Sequence, residues 1–490
     1  MAYSKTPVES TYKTKMFPLF KELNSRGVFS ADNKDNNYVN VFPNFIKNKV
    51  TQENFIDVLK RAGNSQIIAA TGTGSQRGLY HWEEQERLFI AIDDDVYVYN
   101  SQTMALVTTF TSLFTSGSTE VGFEAFLYDT GTVKIVITDG TKMVTIDSAM
   151  TLVTGADADM PVHLPYPVFL NGYIYVIAVN SADIYNSDLN DPLAWTPGNF
   201  ITAEILADRA VYLTRLNNYI LAAGTRSMEY FWDAANDSGS PLQRNDTPVK
   251  LAGLLGGLTR VGNKIYFVGN QNGALPDVFM VEEMKLTSVG NEAVREHLAS
   301  LSVDFDTILR ANIVSMYGRE FYVLYTGSRT WVMELETQLW HRWVYGNNQY
   351  TFPMKYATNV ITGTTSKTVF TYEGDRAVYK FDESLYQDAG TNFTCIIVTD
   401  KENFETHVEK TMGRAILLCD RPTTASTVDI SWTDDDYQSF STSRYLDINS
   451  KKPVITQLGA FNERAFKIKY TDNLPFRVSA LEVNINIGSA

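Results

Sequence analysis

RLFIAIDDDVYVYN, residues 87 to 100, sets an apolar strand on each side of three aspartates. Asp93, Asp94 and Asp95 occupy the place of a turn, and the flanking runs of aliphatic and aromatic residues have β-strand composition, so the stretch reads as a β-hairpin with a solvated tip. The unit returns as TVKIVITDGTKMVTID from Thr132, NGYIYVIAVNSADIYNSD from Asn171 and NNYILAAGTRSMEYFW from Asn217. Further copies are GNKIYFVG from Gly262, GREFYVLYTGSRTWVMEL from Gly318 and SKTVFTYEGDRAVYKFDE from Ser366. TDGT at Thr138, TGSR at Thr326 and EGDR at Glu373 put glycine where a hairpin turn needs positive φ. The repeat is irregular, about 40 to 55 residues, which overlaps the period of a four-stranded propeller blade. Seven loose copies imply a β-propeller of six or seven blades over residues 71–391.

Bulk composition agrees with this. The chain has 490 residues, 44% of them apolar, with 27 Tyr and 27 Phe, which suits an ordered, strand-rich protein larger than one ordinary core. No run approaches the length of a membrane-spanning helix, and MAYSKTPVESTYK lacks the apolar core of a signal peptide, so a soluble product made in the cytoplasm is expected, without membrane insertion. Cys395 and Cys419 are the only cysteines, too few and too far apart for a disulfide framework or a zinc cluster. The formal charge of −14, from 56 acids against 42 bases, disfavours tight generic binding of nucleic acid. It leaves room for a conduit, since a wall along which a duplex slides should not grip phosphates.

Helix is scarce in the pattern. Asn291 can cap a helix to Leu301, with Val294 and Leu298 on one stripe and His297 beside it as a packing residue, and a weaker helix is expected near residues 52–61. From about residue 392 the blade rhythm stops. Leu481, Val483, Ile485 and Ile487 fall on one face of LEVNINI, with Glu482, Asn484 and Asn486 on the other, and FKIKY from Phe466 alternates likewise. Residues 392–490 are therefore expected to form a C-terminal β-sandwich. Residues 1–70, with polar stretches such as SADNKDNNY from Ser30, are expected to be an arm that packs on the propeller or on a neighbouring subunit.

Chemistry is hard to find. His81, His163, His297, His341 and His407 lack metal-ligand spacing, and neither H-E-x-x-H nor G-x-S-x-G occurs. TGTGSQRG from Thr71 is glycine-rich but lacks the G-K-[ST] ending of a phosphate loop. LWHRW, residues 339–343, could stack a sugar or base, but Trp340 and Trp343 within a blade copy read better as inter-blade packing. SWTDDDYQSF, residues 431–440, sets a second run of three aspartates between two aromatics. Carboxylates about 7 Å apart repel by roughly 0.6 kcal/mol in water and about 2.4 kcal/mol at an effective dielectric of 20, so Asp434, Asp435 and Asp436 should stay wet or hold a cation. Strand alternation would point Asp435 away from the other two, which spoils a cage. From Thr433 the stretch resembles the Asp-box turn of sialidase-like propellers, S/T-x-D-x-G-x-T-W, with Tyr437 where glycine is expected. No catalytic, cofactor or metal residue is assigned on this reading, and the interface residues stay open.

A family resemblance adds to this. Tyr185, Ser187, Asp188, Pro192 and Trp195, followed by Ala203, Asp208, Gly224, Glu229 and Trp232, are similar to the "Y-x-S-D…P…W", Ala…Asp and "G-x-x-x-x-E-x-W"-like pattern of the tail-hub, or packaged-DNA-stabilising, family of short-tailed bacteriophages. NYVNVFPN from Asn37, the Leu59 to Gly63 segment and Arg77-Gly78 look like its opening. The C-terminal strands through Gly459, Arg464 and LPFRVSALEVNI look like its end. The resemblance implies a non-enzymatic virion protein, assembled in the host cytoplasm as a homohexameric ring that extends the portal-adaptor channel. Its implied partners are the adaptor or head-completion protein, a tail needle or tip, a tail fibre or spike, and genomic DNA held without sequence-specific contacts until ejection. Two alternatives stand beside it: a propeller-type carbohydrate-active enzyme of glycosidase or sialidase type, and a glycan-binding adhesin. The enzyme requires an axial pocket with two carboxylates at catalytic separation.

Overall fold

The computed structural model describes residues 13–20, 37–47, 54–250, 252–271, 273–301, 309–346, 351–362 and 365–487. Each hairpin read from the sequence forms the second and third strands of a four-stranded antiparallel sheet, except that the copy from Gly262 supplies only the second strand. Seven such four-stranded units follow in chain order, five as separate sheets and the last two within larger sheets of nine and six strands, and we number them blades 1 to 7. Their first strands are Gln76–Trp82, Gly122–Leu127, Val168–Leu170, Ala210–Leu216, Ala252–Val261, Arg310–Met316 and Met354–Thr362. The expected propeller is present, with seven blades.

The apolar face of one blade packs on the next, so the core is divided into wedges rather than gathered in one centre. Phe89, Ile135 and Ile146 join blades 1 and 2, Val136 and Ile174 join 2 and 3, and Tyr175 and Ile220 join 3 and 4. Leu221 and Phe267 join blades 4 and 5, Tyr266 and Tyr322 join 5 and 6, and Val323 and Phe370 join 6 and 7. Leu88, Ile90 and Val369 close the circle between blades 7 and 1. The helix Glu292–Ser300 forms as expected before blade 6, with the Asn291 side chain accepting from the Val294 N–H at 2.9 Å and Val294 and Leu298 buried between blades 5 and 6.

Closure of the ring corrects the N-terminal expectation. The fourth strand of blade 7 is Gly63–Ile68, paired antiparallel with Val378–Asp382, so the propeller begins before residue 71 and is fastened by a strand from the other end of the chain. The described part of the expected helix near 52–61 is a strand, Asn54–Lys60, because its partners, Val41–Lys47 and Arg477–Ile487, bring a ladder that local periodicity cannot reveal. Lys13–Pro18 also pairs with Arg477–Ile487. The stretch SADNKDNNY lies mostly outside the described residues.

The segment from 392 onward thus shares its sheets with the chain start. One sheet holds Val41–Lys47, Asn54–Lys60, Arg477–Ile487, Lys410–Cys419 and Val454–Phe461, with Lys13–Pro18 added on Arg477–Ile487. The other begins as blade 6 and runs on through Asn37–Val39 to Cys395–Val398, Ala465–Tyr470, Thr427–Thr433 and Arg444–Asp447. Val39 makes the seam, parallel to Arg342 of blade 6 and antiparallel to Ile396. Both sheets feed one buried cluster that includes Phe17, Val58, Leu417, Val483, Ile397, Ile430, Phe466 and Tyr470. Leu481, Val483 and Ile485 are buried while Glu482, Asn484 and Asn486 are half-exposed, the alternation read from LEVNINI.

Candidate functional site

A propeller's natural site is its axis, where the first strands of neighbouring blades meet. At the end where those strands begin, Glu120, Tyr166, Arg310 and Lys355 converge from blades 2, 3, 6 and 7. Arg310 donates to Glu120, and Tyr166 Oη donates to the same carboxylate at 3.0 Å. Glu373 lies 3.6 Å from Arg310 and 3.2 Å from Lys355 Nζ. Two blades lie between blades 2 and 6 one way round the ring and three the other, so the Arg310–Glu120 contact crosses the axis. Burial works against the Arg310 charge, but Glu120, Tyr356 and Glu373 hold its pKa above the ordinary value.

Deeper along the axis, Glu124 accepts the Phe169 N–H at 3.3 Å. Burial pushes its carboxyl up to about 7, against the pull of that N–H and of Arg260 and Arg215. Arg260 in turn donates to the Arg215 carbonyl at 3.0 Å. The Tyr166 and Tyr212 rings, with centroids 4.0 Å apart, fill the space between the two layers.

Chemically this is a brace. A glycosidase carboxylate pair needs one acid and one base with a gap of roughly 5 to 9.5 Å left for substrate or water. Glu120 and Glu373 instead share one guanidinium, and Lys355 binds Glu373 again. Sequence reading missed the network because its members are scattered from residue 120 to 373. The one available signal, a charged or tyrosyl residue at the start of successive blades, is too weak to separate from ordinary surface polarity.

The family-type motif residues hold blades 3 and 4 in shape. Asp208 accepts the Arg226 and Ser227 N–H groups and the Ser227 hydroxyl, pinning the turn that starts at Gly224. A Cβ on Gly224 would lie 2.4 Å from the Asp208 carboxylate, so the motif glycine provides room. Glu229, fully buried, accepts the Ile205 N–H at 2.9 Å, and burial raises its pKa. Ser187 accepts the Ile174 N–H, and Asp188 accepts the Thr196 hydroxyl. Ala203 and Trp195 are buried, whereas Tyr185 stacks on Phe200 and Trp232 is partly exposed. Arg77 is buried and donates to the Thr119, Asp93 and Thr115 carbonyls, tying blade 1 to the loop that leads into blade 2.

The acidic stretch near residue 435 separates into three tasks. Asp434 forms a two-toothed pair with buried Arg464, at 2.7 Å for both contacts. Asp435 accepts from Thr433 Oγ1 and from the Ser439 N–H and hydroxyl, and those bonds hold its carboxyl down to about 2. Asp436 takes Lys401 at 2.7 Å. Tyr437 adopts φ +62, the conformation glycine would favour there, with its ring buried and its hydroxyl donating to the Thr399 carbonyl at 2.9 Å. Among the described residues, no three His, Cys, Asp or Glu side chains converge on a metal-sized site.

The remaining candidates are packing. Trp340 donates its indole N–H to the Val289 carbonyl between blades 5 and 6, and Trp343 is buried between blades 6 and 7. Burial holds His297 down to about 4, with Arg342 adding to the effect, and holds His341 down to about 3. In the TGTGSQRG loop, Gly74 takes φ +83 directly over Asp93.

A second polar centre joins the propeller to the shared sheets. Arg61 binds both oxygens of Asp388, at 2.9 and 2.6 Å, with neither side chain exposed. Asn40, Ala62 and Val344 take the other guanidinium hydrogens, and Asn64 donates to Asp388 at 2.7 Å. Burial raises the Asp388 pKa while Arg61 pulls it down.

A family model described as Phage_stabilise, Bacteriophage P22 Gp10, beta-propeller, matches residues 27–386. No curated protein matches the chain. Solved structures similar to it include a streptogramin B lyase, at 11% identity over 66% of this chain and 98% of that one, with a TM-score of 0.41. Virginiamycin B lyase from Staphylococcus aureus aligns at 10% identity over 65% and 98%, with a TM-score of 0.42. The Cps50 (Swd1) β-propeller domain from Myceliophteria thermophila aligns at 9% identity over 64% and 98%, with a TM-score of 0.41. At such identities and scores nothing about activity follows.

Proposed function

The chain belongs to the Phage_stabilise family of bacteriophage P22 Gp10, and from that premise we propose that it is a structural component of the phage tail that forms a ring below the portal and its adaptor, retains packaged DNA and docks other tail proteins. The observation that carries this reading is the cross-axis contact between Arg310 and Glu120. With the axis of each propeller braced shut, a DNA path has to run between copies, which makes a ring of chains the economical assembly. The net charge of −14 suits a wall that lets a duplex slide.

We read the two sheets around Phe17 and Phe466 as a β-sandwich, built from both chain ends and attached at blade 6. The carbohydrate-active reading is disfavoured at Glu120 and Glu373, whose carboxylates are held by Arg310 and Lys355.

The test is assembly. DNA-filled heads lacking this protein are incubated with the purified chain, then assayed for DNA retention and imaged. Retained DNA, with class averages showing a sixfold ring around an open channel, is the expected result. Unchanged DNA loss with a chain that stays monomeric would overturn the proposal.

A further inference from the structure

Between blades 6 and 7, on the propeller face opposite the Arg310 brace, lies a cleft of about 890 Å³. That is near the upper end of the roughly 300–1,000 Å³ common for ligand pockets. Its cause is in the strand pairing. Val378–Asp382 follows the closing strand Gly63–Ile68 over its whole length but pairs with Thr365–Tyr372 only at Val369 and Phe370. The two strands of blade 7 are unpaired beyond those residues, and Ser366, Lys367, Phe381 and Glu383 line the cleft. No strand among the described residues pairs with that edge of Ser366 and Lys367. An open edge beside a cleft is suited to accept a strand from another chain.

Charge selects the kind of strand. Arg319, at the cleft, is already bound to Glu334 at 2.6 Å, and Lys367 acts on Asp382. Glu320 and Glu336 are exposed on the blade 6 wall and Glu383 on the blade 7 wall, and none of the three has an ion pair among the described residues. A second copy of a chain carrying −14 is a poor match for such a rim.

We propose that this cleft receives an extended, basic segment of a different tail protein, laid along Ser366–Lys367 with its cations toward Glu320, Glu336 and Glu383. The proposal rests on the tail-component reading above and names one partner contact within it.

The test places a thiol at Ser366, as Ser366→Cys in a Cys419→Ser background, and assembles that chain into particles. Maleimide labelling is expected to be at least tenfold slower in the particle than in the free chain. A photoreactive maleimide at the same thiol is expected to crosslink a different protein through a peptide containing Lys or Arg. Glu320→Arg with Glu336→Arg, both on exposed positions and checked for an unchanged melting temperature, should reduce that crosslink at least tenfold. Equal labelling in particle and free chain, a crosslink to a second copy or to DNA, or a crosslink indifferent to the charge reversal would each overturn the inference alone. A Ser366→Cys chain that never enters particles, when the unlabelled wild type also fails to, removes the tail-component reading and this inference with it.

Discussion

Glu124 sits among tyrosines and arginines on the axis, and burial raises its carboxyl to about 7 from an ordinary value near 4.5. A carboxyl whose folded pKa is raised favours folding while protonated, and that contribution is lost as pH rises from about 4.5 through 7. Glu124→Gln removes the titration. The difference in melting temperature between variant and wild type should therefore climb in the variant's favour from pH 4.5 to pH 8, measured by scanning fluorimetry. A difference that stays level across that range would mean the axis is wetter than its geometry implies. The Arg61–Asp388 pair makes a contrasting case, because both ions are buried and fully bonded. Removing one partner leaves the other uncompensated, so Arg61→Met should cost about 3–5 kcal/mol in urea unfolding, while Arg61→Met combined with Asp388→Leu should cost less than either change alone. Additive costs would show that the two charges do not act as a unit. At this scale the sequence was legible where the partners are local. Thr433, Asp435 and Ser439 form their turn within seven residues, and the departure at Tyr437 could be seen beforehand. Arg61 with Asp388 and Arg310 with Glu120 were not legible, because 327 and 190 residues separate the partners and each residue alone looks like a surface charge.

Hairpins are the elements that the sequence displays most openly, since a turn residue and two β-rich runs lie in one window, and all seven copies fall inside blades. Asn54–Lys60 misled for the opposite reason, because its apolar spacing fits a helix as well as a strand and only its distant partners decide. Gly63–Ile68 carries the largest structural consequence of these poorly signalled elements, since it fastens blade 7 to the chain start. Gly63 is fixed there by space: a Cβ would stand 2.2 Å from the Gln387 carbonyl oxygen and 2.6 Å from its nitrogen, both backbone atoms that cannot turn aside. Gly63→Ala should therefore cost about 1–3 kcal/mol, typical of overpacking. Hydrogen exchange should show the loss first in Val378–Asp382, ahead of the blade 2 strand Val133–Thr138. Equal acceleration in both strands would place the fastening elsewhere.

For the whole molecule, the decisive feature is that no boundary falls where the composition changes. Blade 6 continues through Asn37–Val39 into the strands from Cys395 onward, and the Arg61 centre fastens the same region from inside. Blade 7 is complete only when Gly63–Ile68 is in place, and that strand follows directly from Asn54–Lys60 of the shared sheet. Unfolding either part strips partners from the other. Repeat architectures often lose stability piecewise, because each repeat contacts only its neighbours. Here the shared sheet and the common closing strand oppose that. Calorimetry should give one transition, with a van't Hoff enthalpy matching the calorimetric one. Arg61→Met should lower that single melting temperature, whereas two resolved transitions in the wild type, with only one responding to Arg61→Met, would show that the seam at Val39 does not couple the two parts. The shared strands also have a mechanical consequence. A load applied at the propeller would reach the outer sheets through hydrogen-bonded strands rather than a flexible linker, so fragments cut between residues 382 and 395 should fail to fold on their own.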